Sequence, residues 1–286
     1  MHRESAIDEF ESMFRRAERE PYIYEQLGVN RVALITDGTT EEAANRMAGV
    51  RGFADPLTKA ENWGIVSGAD FSNIAEMLTK VEEIKPDLIV AHRHLNERST
   101  LLRESLGAYV DVLTQTVDAP VLLLAGTKAN PVSIDDRRCR EVMVITDHIK
   151  GDNRLVNFGA AMAAPDGEVY LCHIEDDAVF ERYMRVIEQI PGLDTETART
   201  EISAQLTSDA QNFIDGCIEG LGQNVASIKA HSIVERGHRL HDYKRLVKSH
   251  EIDMIVINTK DEEQLAMHGM AYTLAVEMVD TALLLL

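Results

Sequence analysis

Short runs of branched apolar residues alternate along this chain with longer stretches in which apolar side chains recur every three or four positions. The runs are Arg31-Val-Ala-Leu-Ile-Thr-Asp37, Pro86-Asp-Leu-Ile-Val90, Asp118-Ala-Pro-Val-Leu-Leu-Leu124, Glu141-Val-Met-Val-Ile-Thr-Asp147, Ile252-Asp-Met-Ile-Val256 and Asp280-Thr-Ala-Leu-Leu-Leu-Leu286. Apolar runs this short, without polar alternation, predict strands buried on both faces of a parallel sheet. Between them the period changes. Ile74, Met77, Leu78 and Val81 share one face ahead of the run at 86–91, and Leu240, Tyr243, Leu246 and Val247 do the same ahead of 252–258. Ile202, Leu206, Phe213, Ile214, Cys217 and Leu221 follow one stripe of a longer helix. Strands alternating with such helices predict βαβ units, and right-handed crossovers make each a doubly wound α/β layer.

The runs also repeat in order. The strand at 31–37 returns at 141–147 with the same Ile-Thr-Asp ending, that at 86–90 returns at 252–256, and that at 118–124 returns at 280–286. Gly107 and Gly269 stand at the same distance ahead of Asp118 and Asp280. Fixed landmarks in one order predict two copies of a single unit. The copies would occupy 1–128 and 139–286, joined near Gly126–Arg140, where Asn130-Pro131 and Asp135-Asp136 break the periodicity. They are unequal. Between Asp147 and the run around Ala230–Val234 there is room for a helix, a strand (Glu168–Ile174) and another helix, whereas Asp37 and Trp63 are only about two dozen residues apart. The first copy is therefore expected to lack a βα segment, with the Trp63 strand matching the one around Ala230–Val234. Ile7, Phe10, Met13, Phe14 and Ala17 form a helical stripe expected to pack over the abridged sheet.

Composition narrows the functions. Of 286 residues, 45% are hydrophobic and 27% charged, enough for a sizeable core. Net charge is 29 − 48 = −19, spread over the chain without a Lys/Arg cluster, which repels nucleic acid and anionic lipid. The longest aliphatic stretches, Val121–Ala125 and Ala282–Leu286, fall far short of the roughly 20 residues of a membrane-spanning helix. The opening Met1-His-Arg-Glu-Ser lacks the apolar core of a secretory signal. Three cysteines (Cys139, Cys172, Cys217) without a CxxC spacing suit a reduced, cytoplasmic protein. No nucleophile elbow, HExxH or Walker loop is present, and no catalytic residue is assigned.

A strand ending in Asp37-Gly38, then Gly68-Ala-Asp-x-x-x-Ile74, Asp87-Leu-Ile-Val90, Gly107 and Ala119-Pro-Val-Leu-Leu-Leu124 resembles the universal stress protein family. Leu171-Cys-His-Ile174, Met254-Ile-Val-Ile257 and Thr281–Leu286 are similar to that family's second, fourth and fifth strands. The resemblance covers about 31–124 and 141–286, a tandem type. It implies a Rossmann-like parallel sheet in each unit with strand order 3-2-1-4-5, abridged in the first copy. It also implies antiparallel pairing of the two last strands, here 120–125 and 281–286. Physics favours that pairing, because an open Leu-Leu-Leu-Leu edge is a template for aggregation. A homodimer of the tandem chain is consistent with the resemblance.

In an open parallel sheet, ligands bind beyond the carboxyl ends of the strands where strand order reverses. That places Asp37-Gly38 opposite His92-Arg93-His94, and Asp147-His148 opposite Asn258-Thr259-Lys260. Many members of the resembled family bind ATP there. The strand-1 acid meets the nucleoside, and a loop reading Gly, two residues, Gly, nine residues, Gly-Ser/Thr holds the phosphates. Close approach of phosphate to main-chain N–H groups is what requires glycine. Counting back from Gly107 puts His94 and Glu97 at the first two glycine positions, and from Gly269 it puts Val256 and Thr259 there. Ala108 and Met270 replace the hydroxyl residue. The candidate ligand-facing residues are Asp37, Gly38, His92, His94, Gly107, Asp147, His148, Asn258 and Gly269.

The expectation is therefore a non-enzymatic stress-response protein that binds a small molecule or a protein partner. Its nucleotide sites would be degenerate, with no cofactor unless ATP is held another way, using Arg93, Arg98 or Lys260. The rivals are a weak nucleotide hydrolase and a cytosolic regulatory module of an ion transporter. His92-x-His94, His238-x-x-His241, His148 and His173 invite a metal reading, but no cysteine spacing supports one and no metal is assigned. Asp37 has a plainer reading as well, since Thr39-x-x-Glu42 is a capping box that starts a helix.

Overall fold

The computed structural model describes residues 22–97, 105–127, 130–131, 137–146, 153–259, 267 and 269–286. The stripe at Ile7–Ala17 lies outside them. In the first half, β1 (Arg31–Ile35) leads into α1 (Thr40–Arg51) and α2 (Asp55–Lys59), then β2 (Asn62–Val66), α3 (Ile74–Ile84), β3 (Leu88–Ala91), α4 (Ala108–Thr116) and β4 (Val121–Leu123). A two-strand ribbon, β5 (Gly126–Thr127) with β6 (Asn130–Pro131), follows. The second half runs β7 (Glu141–Ile145), α5 (Asn153–Met162), β8 (Glu168–Asp176), α6 (Asp177–Ile187), α7 (Thr195–Asn224), β9 (Lys229–Gly237), α8 (Arg239–Ser249), β10 (Met254–Ile257), α9 (Gly269–Glu277) and β11 (Ala282–Leu285).

Nine strands form one sheet in the order β2-β1-β3-β4-β11-β10-β7-β8-β9. All neighbours are parallel except β4 and β11, which pair antiparallel with Leu123 opposite Leu283, Leu122 opposite Leu284 and Val121 opposite Leu285. In its own count the second half reads 3-2-1-4-5. Among the described residues the first half gives four strands to this sheet, and β2 lies directly against β1 in register Arg31↔Asn62 to Ile35↔Val66. The Trp63 strand, matched in sequence to the third strand of the other half, thus takes the place that β8 occupies there. The reason is the main chain of β1: with no intervening strand in the short 37–62 connection, its outward N–H and C=O groups need β2 as a direct neighbour.

Alternation along the strands divides the core into two layers, one on each face of the sheet. Val32, Leu34, Val90 and Leu122 continue into Leu284, Val256 and Val144 on one face, covered by helices α1, α2, α5 and α7. Ile35, Ile89 and Leu123 continue into Leu283, Ile255 and Ile145 on the other, beneath α3, α4, α8 and α9. Neither layer is interrupted at the β4–β11 junction. Arg93 adds a polar clamp there. It is 1% exposed and donates from Nη1 to the carbonyl of Leu124 (3.0 Å) and from Nη2 to those of Ala275 (3.1 Å) and Met278 (3.0 Å). A cation at the last carbonyls of α9 suits the negative end of that helix. Burial lowers its pKa to about 10, so the guanidinium remains charged at neutral pH.

Among the described residues, no helix is long and apolar enough to cross a membrane.

Candidate functional site at the strand ends

At the carboxyl end of β1 the chain leaves the sheet at Thr36 and Asp37, then enters α1 through a cap. Thr39 accepts from the Glu42 amide (3.2 Å), and the Glu42 carboxylate accepts from the Thr39 amide (2.7 Å). The capping box forms, yet it uses Thr39 and Glu42 and leaves Asp37 to other work. Asp37 points inward, its side chain 8% exposed. Its Oδ1 lies 3.3 Å from His92 Nε2, and its Oδ2 accepts from the Asn96 amide at 3.1 Å. His92, at the end of β3, is oriented at its other nitrogen, Nδ1, by the Arg93 carbonyl (2.9 Å). Gly38 donates to Thr36 Oγ1 (3.2 Å), and its carbonyl accepts from the Gly68 amide (2.9 Å). A Cβ at Gly68 would stand 2.4 Å from the Asp37 carbonyl, so only glycine permits this approach of the two loops.

The loop after β3 then turns through two left-handed residues, His94 (φ 57°) and Asn96 (φ 54°). His94 occupies one of the positions where the family pattern calls for glycine, and the backbone there adopts the conformation that favours glycine. Its Nδ1 pairs with Glu97 Oε2 at 2.9 Å. The other Glu97 oxygen, Oε1, accepts from the Ala108 amide (2.9 Å), the first N–H of α4. Gly107, at φ 95°, caps that helix so tightly that a Cβ would lie 2.9 Å from both Glu97 Oε1 and His94 Cα. A carboxylate of the chain itself therefore sits at the positive end of α4, where the resembled pattern places phosphate. A second carboxylate, Asp111, lies in the same first turn, and burial and Glu97 together raise its pKa. An additional anion arriving there would meet two carboxylates.

Asp37, Gly38, His92, His94 and Gly107 are thus brought to one place. Three neighbours were not legible in advance: Asn96 donates from Nδ2 to Tyr109 Oη (2.9 Å), and Tyr109 Oη donates to the Ser72 carbonyl (3.3 Å). Asn96 and Ser72 reach the site from loops and Tyr109 from the first turn of α4, at positions that no motif fixes. Arg93 does not join them, because the inter-half clamp holds its guanidinium. His92 and His94 take different partners in spite of their HxH spacing, and among the described residues no three His, Cys, Asp or Glu side chains converge in a metal-holding arrangement.

The corresponding corner of the second half is described in part. Asn258 and Thr259 follow β10, and Thr259 is bound by amide and hydroxyl to the Leu286 carbonyl (2.8 and 2.6 Å). Gly269 opens α9, and among the described residues nothing lies near the position of a Cβ there. His173 is buried on β8, with Nδ1 2.7 Å from the Thr146 carbonyl. Asp147, His148 and Lys260 lie outside the described residues, as does Arg98 in the first half.

No protein-family model and no curated protein matches the sequence. Solved structures do. A universal stress protein from Archaeoglobus fulgidus DSM 4304 is 12% identical, with 91% of this chain and 98% of that one covered at a TM-score of 0.50. A Pseudomonas aeruginosa PAO1 protein of unknown function is 11% identical over 90% of this chain and 92% of that one, at a TM-score of 0.49. The hypothetical protein MJ0577 is 15% identical and matches 52% of this chain and 95% of its own length, at a TM-score of 0.40. With its strand order, its continuous sheet and its match to the Archaeoglobus protein along nearly the whole length of both, this chain has the universal stress protein fold.

Proposed function

We propose that the chain is a non-enzymatic stress-response protein of two universal-stress-type units, 1–128 and 139–286, acting in the cytoplasm through a bound small molecule or protein partner. Its first nucleotide site is degenerate. The observation that carries this reading is the Glu97 carboxylate on the Ala108 amide at 2.9 Å. A helix N-terminus attracts phosphate because its amides are unpaired and its dipole is positive. Here one of those amides already has an anion, which His94 holds in place, and Asp111 adds to the negative field. The acid at the strand end, Asp37, is likewise engaged with His92 and the Asn96 amide, so a ribose hydroxyl would have to displace a buried contact.

Titration calorimetry with ATP and Mg²⁺ tests the reading. No saturable heat is expected at micromolar protein, and no phosphate release on prolonged incubation. Micromolar ATP binding that weakens at least about tenfold in Asp37→Ala would overturn it.

A further inference from the structure

One end of the nine-strand sheet is β9, and among the described residues its outer edge stands open. The Lys229 amide donates to the Gly167 carbonyl (3.0 Å), so the odd-numbered residues of β9 turn their main-chain groups toward β8. Ala230, Ser232, Val234 and Arg236 turn theirs outward. Among the described residues these N–H and C=O groups have no hydrogen-bond partner. At nine residues, without a proline, β9 is longer than the five-residue strand β2 that forms the other edge. Such a row of free donors and acceptors is a template for another extended chain.

The edge borders a groove. Gln211 in α7 donates to Ser232 Oγ (2.8 Å), and Arg236 donates to the hydroxyl of Ser203, two turns earlier in the same helix. From 203 to 211 the helix rises about 12 Å, and from 232 to 236 the strand rises about 13 Å, so α7 runs alongside this part of β9. Between them lies a groove of about 690 Å³, lined by Arg199, Thr200, Ser203, Thr207 and Gln211 of the helix and by Arg236 of the strand. In a chain of net charge −19, no carboxylate among the described residues lines it. Asp177, Glu181 and Glu188 pair with the two guanidiniums without lining the groove, and both guanidiniums lie over the Phe180 ring. A guanidinium has five N–H groups. Arg236 spends three of them and Arg199 two, which leaves donors for a further carboxylate.

We propose that an extended segment of a partner protein adds to the outer edge of β9, with acidic side chains on its α7 face entering the groove beside Arg199 and Arg236. Main-chain bonds to Ser232, Val234 and Arg236 hold the segment, and the guanidiniums select its charge. The strand-end site of the first half lies toward the opposite end of the sheet, so this reading stands or falls apart from the nucleotide one. The probe is a fluorescein-labelled heptapeptide alternating threonine with glutamate. Its anisotropy should saturate below about 1 mM with the full chain, and lysine in place of glutamate should weaken binding at least about tenfold. Val234→Pro removes an outward N–H and no bond to β8, and Arg199→Gln with Arg236→Gln removes the two charges. Each variant should weaken binding at least about tenfold with unchanged circular dichroism. The arginines lie outside the core, so their variant decides even where the proline one does not fold. Native hydrogen exchange at Ser232 and Val234 should be fast in the free chain and slow at least about tenfold with the peptide bound. No saturation, equal binding of the lysine peptide, affinity indifferent to the arginine pair, or amides at Ser232 and Val234 already slow in the free chain would overturn the proposal.

Discussion

At the residue scale, Glu141 is one charge whose surroundings make stability depend on pH. It opens β7 and stands in register beside Glu168 on β8. Burial, and then Glu168, raise the pKa of its carboxyl, and its Oε2 is buried with no hydrogen-bond partner among the described residues. The folded protein therefore holds this proton more tightly than the unfolded chain does. The corresponding stability is full below the ordinary carboxyl pKa and is lost as pH rises through the raised one. Glu141→Gln keeps the shape without the charge. It should raise the melting temperature at about pH 7, and the gain should shrink toward about pH 4; an equal shift at both would contradict the assignment. The site residues differ in how far sequence reveals them. Asp37 and His92 are legible because strand ends follow from apolar runs, and the strand order that the family resemblance implies says which ends face each other. Glu97 is legible only as a mismatch to a glycine pattern. That it turns back onto the Ala108 amide depends on the left-handed turns at His94 and Asn96, which no periodicity announces.

At the scale of elements, the β4–β11 pair is the contact on which the two halves depend. Its three register pairs join Val121, Leu122 and Leu123 to Leu285, Leu284 and Leu283, all buried. Their amides lie in the middle of nine strands and exchange only when the whole sheet opens. Hydrogen exchange under native conditions should therefore find Leu122 and Leu284 among the most protected residues, with protection matching the global unfolding free energy. Faster exchange there than in β1 or β7 would mean that the halves part before they unfold. A run of leucines says that this edge must be covered, and the family resemblance implies that the other half's last strand covers it. The position of β2 is not foreseeable. Which of two places a strand takes depends on non-local pairing with β1, and the sequence around Trp63 is the same in either place.

At the scale of the whole molecule, the two core layers and the Arg93 clamp predict one cooperative unit. The sole tryptophan, Trp63, lies on β2 in the first half under the Arg51 guanidinium, while the longest helix, α7, belongs to the second. Trp63 fluorescence and far-ultraviolet circular dichroism should therefore report the same midpoint in urea. Arg93→Met leaves the carbonyls of Leu124, Ala275 and Met278 without that donor. It should lower both midpoints together, by about 3 kcal/mol in unfolding free energy. A shift confined to one probe would show that the halves unfold separately.

The continuous sheet also bears on how such a chain can change over time. Leu122 pairs with Leu284 and Arg93 holds the end of α9, so a substitution on one side of the junction changes the packing of the other. The loops beyond the strand ends carry no such obligation. One half can fill its helix start with a glutamate while the other has, among the described residues, nothing near a Cβ at Gly269, and divergence of these loops leaves the common frame undisturbed.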